Sequence, residues 1–150
     1  TKESHPTSDE INKRIEELES ILYPFFLYRQ MVAQNWWWGR SASLDLHGCD
    51  AALLKDRKAI ERFVKQLTGL LKMHRVGPAR IKRFGHGTLR GYSMIQFIET
   101  STITAHFDEV GKRAFIDVFS CKKYNPKPVA AFSKKFFKAK DVKMYVEERR

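Results

Sequence analysis

The centre of the chain holds three strand-like segments whose links are too short for any connection but a hairpin. Gly91 to Glu99, Thr102 to Phe107 and Arg113 to Phe119 are rich in β-branched and aromatic residues, which is typical of strands. Two residues separate the first pair of segments, and a turn at Gly111 separates the second pair. Parallel neighbours would need a crossover of about a dozen residues or more. The chain is therefore expected to build an antiparallel sheet.

Strand and helix alternate on the N-terminal side of these hairpins. Ser41 to His47 alternates between apolar and polar residues and is predicted as a half-buried strand. Asp50 can cap a long helix whose apolar residues continue to Leu71. A turn at Gly77-Pro78 then leads into a short strand from Ala79 to Phe84.

The C-terminal side has the mirrored order. Asn125 and Pro126 supply the N-cap and the first residue of a helix, and a last strand contains Val142, Met144 and Val146. We predict an α+β fold, a two-layer sandwich with a mainly antiparallel sheet and helices on one face. The order strand-helix-strand-strand, followed by strand-strand-helix-strand, suggests two related halves.

Residues 1–38 are predicted to form a separate helical and aromatic extension. Four apolar residues at helical spacing predict an amphipathic helix there: Ile11, Ile15, Leu18 and Leu22. Pro24 ends or kinks this helix, and the residues from there to Trp38 are dense in aromatic side chains. Such a segment favours a packing patch, a dimer contact or a membrane-surface contact. We place the main domain at residues 39–150, beginning at Gly39.

The basic charge of the chain does not indicate a nucleic-acid partner. The formal net charge is +11 at pH 7, and such an excess can attract polyanions. Here, however, the basic residues are spread along the chain, without zinc-ligand spacing, an RNA-binding aromatic signature or a glycine-rich phosphate loop. We expect a solvated basic surface, no nucleic-acid partner and no metal site.

The sequence also predicts a cytoplasmic protein without a disulfide framework. No apolar stretch has the length of a transmembrane helix, and no signal segment opens the sequence. The two cysteines, Cys49 and Cys121, are too few for a stabilising network of disulfides. An isolated cysteine is commonly a small buried hydrophobe, and this is our interpretation of Cys49.

Ser101, His106 and Cys121 are candidates for chemistry because of the motifs around them. Taken as residue types alone, they would be structural. The segment from Gly91 to His106, however, resembles the processing region of the small bacterial S-adenosylmethionine decarboxylases, which have a Ser-His-(Ile/Leu)-(Ser/Thr)-Ile-His motif there. The segment from Asp117 to Cys121 is similar to the family's Asp-(hydrophobic)-Phe-Thr-Cys. The intervals from Ser101 to the histidine and to the cysteine match the family spacing.

A further motif lies in the first strand of the main domain. Leu44 to Asp50 resembles the family's first strand, which ends in Gly-Cys-Asp or a close variant. The resemblance covers about Gly39 to Glu147 and needs one small insertion near Phe84 to Arg90. On these motifs, which occur in the family's order, the chain is identified as a divergent member of the family.

The resemblance implies a self-cleaving proenzyme. The Ser101 hydroxyl would attack the carbonyl of Thr100, and the cut between them would turn Ser101 into a covalently bound pyruvoyl group, an electron sink for decarboxylation. His106 would be the acid/base of this maturation, and Cys121 the acid that reprotonates the product. Family members of this size are homodimers with sites near the subunit interface, so a homodimer is expected.

The resemblance also implies a small amino-acid-type substrate. It would be S-adenosylmethionine, decarboxylated for the synthesis of polyamines such as spermidine. The residues expected to bind it include aromatic faces for the adenine and carboxylates for the ribose, and they are Phe84, Ser93, Glu99, Phe107 and Glu109.

Several residues around the site depart from the family pattern. The family's glutamate before the processing serine is Thr100 here, and the histidine after it is Thr102. Phe107 to Val110 replaces the family's Thr-Trp-Pro-Glu. Two alternatives therefore stay open. The same pyruvoyl chemistry could act on ornithine or arginine, or the chain could be an unprocessed homologue that serves as a binding or regulatory subunit.

Overall fold

A computed structural model describes residues 10–18, 20–22 and 37–150 of the protein. The chain divides into two compact units, Thr1–Trp38 together with Arg150, and Gly39–Arg149. In the first unit, residues 10–18 and 20–22 are helical and form α1. Most of the aromatic segment that precedes Gly39 lies outside the described residues, so the contact expected of it stays a prediction.

The second unit contains one sheet of six strands, in which every pair of neighbours runs antiparallel. The strands are β1 Gly39–His47, β2 Arg80–Phe84, β3 Gly91–Ile98, β4 Ser101–Asp108, β5 Arg113–Ser120 and β6 Asp141–Arg149. Their order across the sheet is β2-β3-β4-β5-β1-β6. The antiparallel sheet predicted from the short links is confirmed.

Three further helices complete this unit: α2 Ala51–Leu54, α3 Arg57–Leu70 and α4 Pro126–Phe136. The single long helix predicted after Asp50 is wrong, because the helix is interrupted between α2 and α3. Asp50 caps α2 by accepting a hydrogen bond from the Ala52 amide at 2.9 Å, and Asp56 caps α3 through the Lys58 amide at 2.8 Å. The second capping carboxylate satisfies the free amides of a new helix start, so the chain begins a second helix there.

The helices cover one face of the sheet, as predicted, and the core lies between the two layers. Along β4 and β5 every second residue is buried, while α3 contributes the fully buried Ile60, Phe63 and Leu67. Phe63 meets the rings of Phe136 and Phe137 with centroids 5.3 and 4.8 Å away. This aromatic cluster joins α3 to the end of α4. Within residues 10–18, 20–22 and 37–150, no helix is long and apolar enough to cross a membrane.

The opposite face of the sheet, called the second face below, mixes apolar and polar side chains. Strand pairing aligns Ile95 and Phe97 of β3 with Thr104 and Thr102 of β4. The side chains of Ile95 and Phe97 are 42% and 45% exposed. Because residues alternate between the two faces, the second face also carries His106.

Candidate active site

The peptide bond proposed for cleavage lies in the two-residue turn between β3 and β4. Ile98 pairs with Ser101, so Glu99 and Thr100 alone form the turn. Of these two, only Thr100 has a positive φ, at 63°. The left-handed region costs an ordinary residue about 1–2 kcal/mol, and it is a genuine outlier for a β-branched one. The backbone is therefore strained immediately before Ser101.

Ser101 and Cys121 meet at this turn. The Ser101 hydroxyl oxygen accepts a hydrogen bond from the Cys121 amide at 3.2 Å. The Cys121 thiol lies 2.8 Å from the Thr100 hydroxyl oxygen and donates to the Thr100 carbonyl oxygen at 3.4 Å. Ser101 is 8% exposed, whereas Cys121 is partly exposed. The fold thus brings the predicted nucleophile, the carbonyl it would attack and the predicted acid together.

His106 lies elsewhere in the same chain. Its Nδ1 atom is 2.9 Å from the Ser93 hydroxyl oxygen, across the β3–β4 ladder. It is separated from Ser101 by five positions of β4, a distance of about 16 Å along an extended strand. The odd spacing also places Ser101 on the helix-covered face and His106 on the second face. Within one chain, the structure does not bring His106 to Ser101.

A pocket of about 630 Å³ lies beside His106. Its walls include the aromatic side chains of Phe84, Tyr92 and Phe115, while Ser93 and His106 supply polar groups. Phe107, which also lines the pocket, is anchored in the core against Phe137, with centroids 5.4 Å apart. The structure therefore brings four predicted residues to one cavity: Phe84, Ser93, His106 and Phe107.

Backbone packing beside this pocket requires a glycine at the start of β3. A Cβ atom at Gly91 would collide with the carbonyl oxygen of Phe107. Glycine alone permits so close an approach of two backbones. The close contact holds β3 against β4 where Ser93 and His106 face each other.

The carboxylates at this end of β4 are engaged by arginines. Glu109, which is almost fully buried, accepts from Arg83 Nε at 2.8 Å and from Arg83 Nη2 at 2.6 Å. This hydrogen bond raises the pKa of the Arg83 guanidinium. Since both oxygens of Glu109 are occupied, its predicted contact with a ribose would compete with Arg83. Glu99 lies in the exposed turn beside Thr100 and not at the pocket.

Asp108 forms a second such contact. It accepts from the Gly111 amide at 2.8 Å and from Arg113 Nε at 2.7 Å. The Gly111 hydrogen bond, and then Arg113, hold the pKa of Asp108 below its usual value. Asp108 and Arg113 were missed from the sequence because only the β4–β5 register makes them partners.

Cys49 differs from Cys121 in its surroundings. It is 3% exposed, and burial raises the pKa of its thiol to about 11, so it is a weak nucleophile at neutral pH. This environment agrees with a structural role. Among the described residues, no three His, Cys, Asp or Glu side chains cluster as metal ligands.

Comparisons with known proteins identify the family and the fold. The model of the S-adenosylmethionine decarboxylase family matches residues 40–150. The arginine decarboxylase proenzyme of Pyrobaculum arsenaticum is 30% identical over 94 residues, which are 63% of this chain and 69% of that protein. The crystal structure of the adenosylmethionine decarboxylase from Aquifex aeolicus VF5 has a TM-score of 0.65 at 18% identity, over 75% of this chain and 91% of that one. The structural likeness shows a shared fold.

Proposed function

The chain belongs to the S-adenosylmethionine decarboxylase family, and from that membership we propose that it is a proenzyme that cuts itself between Thr100 and Ser101 to become a pyruvoyl-dependent decarboxylase. The observation that carries this proposal is the left-handed Thr100, with its carbonyl beside the Cys121 thiol and its successor Ser101. The residues present fit the formation of the group, since the nucleophile directly follows a strained peptide unit.

Self-cleavage and formation of the pyruvoyl group require three changes of bonding at this turn. The Ser101 oxygen attacks the Thr100 carbonyl carbon, the peptide C–N bond breaks, and the hydroxyl proton passes to the released amine. A base then removes the α-proton of Ser101, and the Thr100 carboxylate leaves with the electron pair of the C–O bond. Loss of the amine nitrogen as ammonia, with uptake of water, completes the pyruvoyl group. The contact between the Cys121 thiol and the Thr100 carbonyl oxygen would stabilise negative charge on that oxygen during the first step.

In the mature enzyme the pyruvoyl group would supply the electron sink for loss of CO₂. Cys121 is the side chain proposed to return a proton to the product, because its thiol lies against the residue that precedes the group. General acid catalysis of this kind typically contributes about 10²–10⁴-fold.

The placement of His106 supports a homodimer as the active form. If His106 acts on Ser101, it must come from a second copy, since within one chain the two are about 16 Å apart along β4. Two copies can pack with their second faces together. The two-fold axis that relates them then lies between the two sheets and runs perpendicular to the strands. That symmetry opposes the Ser101 end of one β4 to the His106 end of the other. Because the Ser101 side chain lies on the helix-covered face, His106 would reach it around the exposed turn at residues 99–100. The exposed Ile95 and Phe97 supply apolar area for such packing.

S-adenosylmethionine, consumed for polyamine synthesis, is the substrate that the pocket supports best. Its aromatic walls suit a purine and can face a sulfonium cation. A guanidinium or ammonium side chain would instead require a free carboxylate. Glu109 and Asp108, however, already bind Arg83 and Arg113.

Arginine is the second candidate, and one observation favours it. The Pyrobaculum relative is an arginine decarboxylase proenzyme at 30% identity. An arginine decarboxylase would have to release Asp108 from Arg113, both of which line the pocket, so that the carboxylate can bind the substrate. Ornithine, with its ammonium side chain, would require the same release of a carboxylate.

The experiment is an intact-mass measurement under denaturing conditions, followed by assays of CO₂ release. We expect two fragments that correspond to a cut between Thr100 and Ser101, and CO₂ from S-adenosylmethionine in preference to arginine and ornithine. A single mass of 17.6 kDa after long incubation would contradict self-cleavage and favour the unprocessed binding subunit. Cleavage with activity on arginine alone would keep the chemistry and change the substrate.

A further inference from the structure

A strap of residues 72–77 runs beside the turn that contains Thr100. Arg75 forms an isolated antiparallel bridge with Ile98 at the end of β3. Two backbone hydrogen bonds close this bridge, from the Glu99 amide to the His74 carbonyl and from the Val76 amide to the Phe97 carbonyl, both at 2.8 Å. The strap therefore extends the ladder of β3 into the first residue of the turn.

Gln96 fastens the strap to the sheet from inside the core. Its side chain is fully buried, which is unusual for an amide. Its nitrogen donates to the carbonyl oxygens of Gly77 at 3.0 Å and Phe97 at 2.8 Å, and its oxygen accepts from Arg75 Nε at 3.0 Å. All of these partners lie on the strap or next to its bridge, so the buried amide serves to hold this one segment.

The other side of the turn is tied to the same strap. The Lys122 ammonium group donates to the Lys72 carbonyl at 2.9 Å, and Lys122 directly follows Cys121. Ser101 itself is held in the β4–β5 ladder opposite Ser120. Both ends of the turn are thus fixed.

This anchoring accounts for the strain on Thr100. Two-residue hairpin turns are commonly relaxed when the first turn residue, or both, take positive φ. Here the Glu99 amide is bound to the strap and Glu99 does not take positive φ, so Thr100 alone carries it. A threonine at that position, instead of a glycine, leaves the strain unrelieved.

We propose that Gln96 and the strap of residues 72–77 position the cleavage turn, storing strain in the Thr100–Ser101 peptide that the N-to-O acyl shift releases. In the shift, the bond from the Thr100 carbonyl carbon to nitrogen breaks, a bond to the Ser101 oxygen forms, and the hydroxyl proton moves to nitrogen. The amide joins the Thr100 carbonyl carbon to the Ser101 Cα through one atom, the nitrogen, whereas the ester joins them through two atoms, Oγ and Cβ. The longer link lets the turn relax while its ends stay fixed. This inference rests on the proposed self-cleavage.

Gln96→Met and Thr100→Gly test the proposal in purified, uncleaved full-length chain. Hydroxylamine cleaves an ester but leaves an amide intact. The fraction of chains that a short hydroxylamine pulse cuts between residues 100 and 101 therefore measures the fraction of chains in the ester form. Thr100→Gly should lower that fraction about tenfold, since glycine accepts positive φ without strain. Gln96→Met should lower it by a similar factor, and the double variant should show no further loss beyond Thr100→Gly alone.

Stability measurements separate positioning from general destabilisation. Gln96→Met should lower the Tm in both backgrounds, and less with Thr100 than with Thr100→Gly, because relief of the strain on Thr100 offsets part of the lost hydrogen bonding. Tyr124→Phe is the matched control: it removes a buried hydrogen bond to the Val118 carbonyl, and should lower the Tm while leaving the ester fraction unchanged.

Different results would overturn the two proposals. A wild-type ester fraction in Gln96→Met, or an additive loss in the double variant, would refute the role of the strap while self-cleavage stands. A wild-type chain that neither cleaves nor contains a hydroxylamine-sensitive bond would refute self-cleavage, and the strap's role with it.

Discussion

The two ends of β4 are built for different tasks. At the Ser101 end, a threonine is held in a strained left-handed conformation next to a buried serine and a partly exposed thiol. At the His106 end, aromatic side chains and the Asp108–Arg113 pair line a pocket, and Arg83 binds Glu109 just beyond the end of the strand. One end stores conformational energy, whereas the other is fixed by charge-assisted hydrogen bonds.

The difference indicates how one short strand can carry both halves of a site. Strain is useful where a covalent bond of the chain must rearrange once. Rigid pairing is useful where a ligand must be positioned repeatedly. Because a single copy keeps these features about 16 Å apart, the proposed dimer is what would join them.

Removing the nucleophile should have the largest effect, and it tests whether the Ser101 end is chemically active. Ser101→Ala should abolish cleavage and all decarboxylation, because no hydroxyl remains to form the ester. Intact mass should give one full-length chain. Ser133→Ala is the control, since Ser133 is fully buried and its hydroxyl has no hydrogen-bond partner within the described part of the chain; it should cleave normally. Cleavage in Ser101→Ala would mean that another residue is the nucleophile.

Cys121→Ala should separate maturation from turnover at the same end of β4. We expect kcat to fall about 10²–10⁴-fold, the range for loss of a general acid, while a measurable amount of cleaved protein still forms. The rate of CO₂ release per cleaved chain is the measurement. Cys49→Ala should keep normal kcat, because Cys49 is buried in the core and remote from the turn. Equal losses in both variants would count against a special role for Cys121.

A mixture of two inactive chains should reveal whether the two ends of β4 work across subunits. Ser101→Ala and His106→Asn would each be uncleaved alone. Co-expressed in equal amounts, random pairing makes half of the dimers mixed, and one chain of each mixed dimer regains a complete site, so about a quarter of all chains should be cut. The fragments should come from the His106→Asn chain. No cleavage in mixed dimers isolated with two affinity tags would refute the shared site.

Asp108→Asn should have the smallest effect, and it measures how firmly the His106 end is held. Since the pKa of Asp108 is lowered in the folded protein, its charged form stabilises the fold above pH 3.8, the ordinary value. That contribution is lost as the pH falls through the lower folded-state value. The variant should be less stable by about 1 kcal/mol at pH 7, with the difference vanishing in strong acid. Urea unfolding at pH 7 and pH 2 tests this, and a difference that persists at pH 2 would contradict it.

Local features of the sequence were sufficient to predict the antiparallel α+β fold. Alternating apolar residues and short links between strands are patterns that span only a few neighbouring residues, and the strand pairing follows from them. The break between α2 and α3 was missed because the apolar periodicity continues through both helices. Asp56 could either continue one helix or cap the start of a second, and the periodicity does not distinguish these two outcomes. The family motifs likewise lie in contiguous segments, so the family could be identified from the sequence.

The sequence by itself thus determined the strands, the family and the candidate residues, including the five-residue spacing that separates Ser101 from His106. Tertiary structure alone decided the pairing of Arg83 with Glu109 and the left-handed conformation of Thr100. The physical reason is the same in both cases. An ion pair between β2 and the end of β4, and a backbone angle held by a strap more than twenty residues earlier in the chain, depend on strand register and packing, which no local pattern encodes.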